Sequence, residues 1–200
     1  MKTIILIILL SSLLGFKPLN QECAKIDIFF LIDMSSSVQG NEKFIGQALE
    51  SFVDRFDLAD DGIRLSITTF SYKSKLLLPL AGDEKQARII IDDIKHYIAA
   101  NNTDLYSGMY TVVEELALKS REDVMRIIIV ISDGDIDSPQ SSMDIINKAH
   151  ELYDFNICSI FINGDNGNRS FMKEISTNGC YSESSYENLY RMLKELDICI

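Results

Sequence analysis

The sequence predicts a doubly wound α/β fold: a six-stranded, mostly parallel sheet with one antiparallel edge strand and helices on both faces. Three observations carry this. The stretches 26–33, 125–132 and 157–162 are almost unbroken apolar runs, the composition of strands buried on both faces of a parallel sheet. Amphipathic segments lie between the strands, and strands alternating with helices build a sheet with helices packed on it. Clusters of oxygen-bearing side chains follow two of those runs, and such sheets bind ligands beyond the carboxyl ends of strands, where the strand order reverses.

The first strand is 26-IDIFFLID-33. A helix follows over 43–56, where Phe44, Ile45, Ala48, Leu49, Phe52, Val53 and Phe56 share one face. Asp61-Gly62 is a turn signal, and 63-IRLSITTFS-71 is a strand with more alternation than the first. The segment 74–80 returns through Tyr72-Lys73 as a hairpin. That makes it the antiparallel edge, a place where Pro79 is tolerated. Helices are expected over 84–98 and 105–119, a strand over 125–132, a helix over 141–153 and a strand over 157–162. The run 163-NGDNGN-168 reads as a loop, a short last strand lies near 180–182, and a helix over 185–196 closes the fold. There is no repeat, linker or low-complexity segment.

The chain has 200 residues, enough for one domain with a full core. Met1-Lys2 and the apolar run 3-TIILIILLSSLLG-15 read as a secretory signal peptide over 1–19, cleaved between 15 and 20. The run is short for a membrane span, and the mature chain has no further long apolar segment. A single domain over 23–200, secreted to the extracellular space directly or through a secretory organelle, is the expectation. Loss of Lys2 and Lys17 takes the formal charge from −11 to −13. Nucleic acids and anionic membranes, which need basic patches, are poor partners for such a chain; a cation suits it.

The four cysteines are Cys23, Cys158, Cys180 and Cys199. An even count in a secreted chain favours disulfides, and three pairings are possible. Cys23 and Cys199 bracket the domain, and domain termini often lie close together, so the favoured pairing is Cys23–Cys199 with Cys158–Cys180. The competing reading is buried free thiols, and it fits Cys158 best. No CxxC spacing points to zinc.

Three loops carry oxygen donors. They are Asp33-x-Ser35-x-Ser37, Thr103 ahead of a helix, and Asp133 at the end of a very hydrophobic strand. Two carboxylates, two serines and a threonine form a hard donor set, suited to Mg²⁺, Mn²⁺ or Ca²⁺ rather than zinc or copper. With only two formal charges, an ion held there keeps an appetite for another anionic oxygen.

Asp33-Met-Ser35-Ser-Ser37, then Thr103, then Asp133-Gly, in this order on alternating strands and helices, resembles the von Willebrand factor type A (VWA) domain. The likeness spans about residues 27–196. A looser similarity of texture extends to the secreted apicomplexan A-domain adhesins, the TRAP family and WARP. The resemblance implies that Asp33, Ser35, Ser37, Thr103 and Asp133 form a metal-ion-dependent adhesion site. A glutamate or aspartate of an extracellular protein partner would complete the metal's coordination. It also implies a switch in which the last helix shifts, which a Cys23–Cys199 tether would restrain. Met34 and Ser36 stand where the family often has glycine, and Asn101-Asn102 precede Thr103 where many members carry glycine.

Plainer readings stand beside these. Asp33, Ser35 and Ser37 alone could cap a helix; Thr103 and Asp133 in place weigh against that. Asp135 and Asp137 read as a solvated acidic rim. Lys73, Lys75 and Arg88 read as a solvated edge, with glycosaminoglycan binding, or a self-assembling matrix role not using the metal, as the alternative function. Two glycosylation sequons exist, at Asn101 and Asn168. Asn101 would crowd the metal site and is expected unmodified, which leaves Asn168 as the candidate. A metal-dependent hydrolase is the remote alternative: no second carboxylate follows Asp33 at two positions, no GxSxG motif is present, and no histidine lies in the three loops. A lone adhesion module binds weakly unless multivalent, so a homo-oligomer is compatible with the sequence.

Overall fold

The computed structural model describes residues 25–162 and 167–196. The expectations for the leader, Cys23 and Cys199 lie outside the described residues.

Six strands form one sheet in the order β3-β2-β1-β4-β5-β6. They are β1 (Ile26–Asp33), β2 (Ile63–Phe70), β3 (Ser74–Ala81), β4 (Met125–Ser132), β5 (Asn156–Ile162) and β6 (Tyr181–Ser184). All neighbouring pairs are parallel except β2–β3. Among the described residues the α-helices are α1 (Glu42–Val53), α2 (Glu84–Ile94), α3 (Leu105–Lys119), α4 (Pro139–Leu152), α5 (Arg169–Ile175) and α6 (Leu189–Glu195). The fold class expected from the sequence is the one observed.

Every residue of β1 is buried, because the two faces of the strand serve two cores. Ile28, Phe30 and Ile32 pack with α1, α2 and α6 through Phe52, Ile91 and Leu193. Phe29 and Leu31 point the other way, to Met109, Val112 and Leu116 of α3 and Ile146 of α4. Phe30 meets Phe52 edge to face with centroids 5.0 Å apart. Each such side chain contributes about 1.5–3 kcal/mol by leaving water, so the continuous apolar run is what fixes β1 at the centre.

Helix starts are set by local chemistry. Asp83 Oδ1 accepts from Gln86 N, and Asp104 Oδ1 accepts from Ser107 N. Pro139 occupies the first turn of α4. The expected helix over 43–56 ends at Val53, after which Arg55 and Phe56 bond to residues three back. The helix expected to reach 98 ends at Ile94 in the same way, with Lys95, His96 and Tyr97 in tightening turns. The last segment divides into a 3₁₀ turn, Tyr186–Asn188, and α6. Helix α5 had no counterpart in the sequence reading. It has only seven residues, and its signal is the Asn168 cap with Phe171, Met172 and Ile175 turned inward.

The chain leaves β1 for β2 on one side and reaches β4 on the other. The strand order therefore reverses at β1, and a crevice opens above the carboxyl ends of β1 and β4. Ile32 pairs with Ile131, which sets Asp33 beside Ser132.

Candidate metal centre

Asp33 is 1 % exposed, Ser35 2 %, Thr103 6 % and Asp133 7 %, and Ser37 is exposed. Asp33 leaves the end of β1 with both carboxylate oxygens engaged. Oδ1 accepts the Ser35 N–H at 2.9 Å, and Oδ2 accepts the Ser132 hydroxyl at 2.6 Å. Ser132 also accepts the Gly134 N–H at 3.0 Å, so one buried serine ties the β1 and β4 loops together. The Ser35 and Ser37 hydroxyls lie 2.9 Å apart.

Met34 is fully buried, which gives this position the apolar cover that a methionine there requires. Its N–H donates to the Phe70 carbonyl, and its carbonyl accepts from Ala100 N, so the 95–104 connection is pinned against the first loop. Asn102 has φ 70°, a left-handed backbone that asparagine tolerates better than most residues; it does the work of the expected glycine. Thr103 then sits at the rim of α3.

Asp137 is exposed, as expected of a solvated rim, and it also braces the Thr103 loop. Its Oδ2 accepts the Thr103 N–H at 2.8 Å, and its own N–H donates to the Thr103 carbonyl at 3.2 Å. Asp135 donates its N–H to Asp133 Oδ1 at 3.2 Å. Tyr186 was also missed. It starts the last helical segment, and burial, then the charges of Asp133, Asp33 and Glu42, push its phenol up. No local motif marks either residue; both are recruited by tertiary contact.

The electrostatics fit a cation. Burial, with a smaller contribution from the charge of Asp133, raises the Asp33 carboxyl to about 6 despite hydrogen bonds from Ser132 and Ser35. The protein's own donors thus leave a buried negative charge uncompensated next to a second carboxylate. Among the described residues no three His, Cys, Asp or Glu side chains gather around one point. The donors here are hydroxyls and carboxylates, a set that favours a hard ion over zinc. Asp33, Ser35, Ser37, Thr103 and Asp133 are the residues that would hold it. When bound, the ion would supply a Lewis-acidic position for one more oxygen.

The model of the family described as von Willebrand factor type A domain matches residues 27–195. Mouse collagen alpha-4(VI) chain is 28 % identical over 182 residues, 88 % of this chain and 8 % of its own length. The thrombospondin-related anonymous protein of Plasmodium falciparum is 23 % identical over 176 residues, 83 % of this chain and 30 % of its own. The chain therefore spans less than a third of these curated relatives. Manganese-loaded Plasmodium vivax TRAP protein aligns with a TM-score of 0.71 and 20 % identity, covering 85 % of this chain and 72 % of that one. Proximal thread matrix protein 1 from the mussel byssus, solved with a zinc-occupied MIDAS motif, aligns with a TM-score of 0.69 and 21 % identity, covering 86 % and 45 %.

Proposed function

Because the chain belongs to the von Willebrand factor type A domain family, we propose that it is a secreted adhesion module that binds an extracellular protein through a divalent cation, Mg²⁺ for preference, Mn²⁺ or Ca²⁺ otherwise. The observation that carries this reading is Asp33: a buried carboxylate, raised to about 6, beside the buried Asp133 and within hydroxyl-rich loops. Ionised Asp33, buried beside Asp133, is stabilised by a cation. The metal in turn lets an acidic protein accept an acidic side chain of its partner.

The residues divide the work. Ser132 and the Ser35 N–H aim the Asp33 carboxylate. Asp137 fixes Thr103. Ser37 is exposed, with its hydroxyl 2.9 Å from that of Ser35. We assign no reaction to these loops. The glycosaminoglycan alternative loses one cation, since Arg88 is paired with Asp54 at 2.9 Å and Glu84 at 2.8 Å on α2. Asn168 is exposed and its Oδ1 caps Phe171 N, which leaves its amide nitrogen for a glycan where the producing cell adds one.

The test is thermal unfolding of the mature protein in EDTA, Mg²⁺, Mn²⁺ and Ca²⁺, beside Asp33→Ala. A melting temperature that rises with metal in the parent and stays flat in the variant is expected, since a ligand bound only to the folded state stabilises it. Equal curves in every metal would overturn the reading.

A further inference from the structure

We propose that the outer face of α3 and α4 is where two copies of this chain pair, antiparallel about a two-fold axis, with their metal centres at opposite ends. The pairing stands on this face alone; its use, one dimer bridging two partners, rests on the adhesion reading above.

Eight large apolar side chains stand exposed among the described residues, and four of them, Tyr106, Tyr110, Leu118 and Leu152, are on these two helices. The other four are spread over the β2–β3 turn, α2, the connection after it and α6, so this face is the one that carries a patch. The patch has a hollow and a knob. A groove of about 540 Å³ lies between Tyr106 and Tyr110 on α3 and Ser141 and Asp144 on α4, and Asp104 and Ser138 close it at the metal end. Leu152 ends α4 at the opposite end, 73 % exposed. It follows Lys148, which also lines the groove, by four residues, so it lies on the same stripe of the helix.

Asp144 and Lys148 stand between hollow and knob. Asp144 accepts from Gln140 Nε2 at 2.9 Å and keeps its charge. Lys148 makes no ion pair with a described residue. From the metal end, the stripe therefore reads hollow, acid, base, knob. In a two-fold interface the same patch serves both copies, and this order is its own complement when reversed. An axis crossing the helices at the level of Ile146 sets Asp144 against Lys148 of the second copy. It also sets Leu152, about 9 Å past that level, against the second copy's hollow at Tyr106 and Ser141, about as far on the other side. An axis running along the helices would face Asp144 with Asp144 and Lys148 with Lys148, and like charges opposed across an interface work against pairing.

Two helices side by side, about 20 Å long and about 20 Å across, offer roughly 400 Å² per copy. That is the low end of specific interfaces, so a dimer that dissociates in the micromolar range is expected. Ile146 lies eight residues past Ser138, and Val112 eight past Asp104, so the axis passes the level of Val112 on α3. Thr103 is nine residues before Val112, about 13 Å at the helical rise, which sets the two metal ends about 27 Å apart along the helices. They open to opposite sides. Such a dimer does not press both sites onto one flat surface; it links two partner molecules, and the link gives a weak single module its second contact.

The experiment is sedimentation equilibrium of the full mature chain over a wide concentration range, in EDTA and in Mg²⁺. The expected result is a monomer–dimer equilibrium of equal strength in both, because no metal donor lies on this face. Leu152→Asp, Asp144→Lys and Lys148→Asp should each weaken the dimer at least ten-fold. An equimolar mixture of Asp144→Lys and Lys148→Asp should dimerise again, since each then meets its opposite charge across the axis. All three positions are exposed, and melting curves report whether each variant is folded. A monomer at every concentration, a dimer that these variants leave unchanged, or a mixture that stays monomeric overturns the pairing and leaves the adhesion reading standing. A dimer that behaves as expected, in a protein whose melting ignores every metal, keeps the pairing and overturns the adhesion reading and the bridging role with it.

Discussion

Asp137 and Thr103 hold each other by two hydrogen bonds: the Asp137 carboxylate takes the Thr103 N–H at 2.8 Å, and the Asp137 N–H returns to the Thr103 carbonyl at 3.2 Å. The pair joins the loop before α3 to the loop after β4. Those loops carry Thr103 and Asp133, donors 30 positions apart in sequence. Their relative placement, and so any coordination they share, depends on a residue that touches neither Asp33 nor the serines.

Asp137→Ala is expected to weaken Mg²⁺ binding about 10- to 100-fold, the usual cost of losing a partner that orients a metal ligand. Asp137→Asn keeps an acceptor for the Thr103 N–H and should restore much of it. Titration calorimetry with Mg²⁺ or Mn²⁺ checks both. Equal affinity in Ala and Asn variants would show that the charge matters and the hydrogen bond does not.

Asp33 makes the metal-free protein sensitive to pH in an unusual direction. Its folded carboxyl is raised from 3.8 to about 6. Its contribution to stability is thus fully present below 3.8, and is lost as pH rises through about 6. In EDTA near pH 7, Asp33→Asn should therefore melt higher than the parent, by an amount on the order of 1–3 kcal/mol in stability, and near pH 4 the gap should close. In Mg²⁺ the order should reverse, because only the parent binds the ion. Melting scans across pH, with and without Mg²⁺, read all of this.

At the other end of β1 the sign is opposite. Asp27 is fully buried, and burial pushes its carboxyl up, yet the hydrogen bonds from Arg64 and Arg121 outweigh this and hold it below 3.8. Arg64 Nη2 and Arg121 Nη2 each approach it at 2.7 Å. This stabilisation is present above 3.8 and lost as pH falls below it. Arg121 also donates to the Gly62 carbonyl at 2.8 Å and the Asp60 carbonyl at 3.3 Å, so it closes the amino-terminal edge of the sheet. Arg121→Ala should cost about 1.5–3 kcal/mol, the loss of hydrogen bonds to a buried charge, because Arg64 still pairs with Asp27 at 2.7 Å. Urea unfolding above pH 5 measures it, and the penalty should shrink in more acidic buffer.

The sheet and the donor loops were legible because both are written locally. Unbroken apolar runs can only be central strands, and oxygens at their carboxyl ends fall at the strand-order reversal once β1 is central. Helix ends were less legible. Ile98 is 87 % exposed, yet it continues the apolar spacing of α2; periodicity does not reveal that the turns tighten after Ile94. Ser132, Asp137 and Tyr186 were unreadable for another reason. Their roles are set by which loop lies opposite, and a serine before Asp133 or an aspartate four residues after it looks the same in sequence whether it faces solvent or a partner.

The disulfide between Cys158 and Cys180 joins β5 to the residue just before β6. Strand β6 has four residues, only Ser184 of them buried, and pairs with β5 alone, so little else anchors this edge. Removing the bond as Cys158→Ala with Cys180→Ala should cost about 3 kcal/mol from freeing a loop of 22 residues in the unfolded chain. Chemical denaturation of the double variant measures this. Mg²⁺ affinity should change little, since Asp33 ends β1 and Asp133 directly follows β4.

Gly108 sets how closely α3 can approach the sheet. A Cβ there would come within 2.8 Å of Leu31 Cδ1 and 3.0 Å of Phe70 Cβ, both fully buried in the core beneath the metal loops. Gly108→Ala would gain about 1 kcal/mol of helix propensity on an exposed helix. Here the overpacking cost of about 1–3 kcal/mol opposes it, because neither Leu31, in the central strand, nor Phe70, whose carbonyl holds Met34, has room to retreat. The variant should therefore be less stable. It should also bind Mg²⁺ more weakly, because pushing α3 outward carries Thr103 away from Asp33. Calorimetric affinity measured beside a melting curve separates the two effects: a stability loss with unchanged affinity would mean that the 95–104 connection, not α3, positions Thr103.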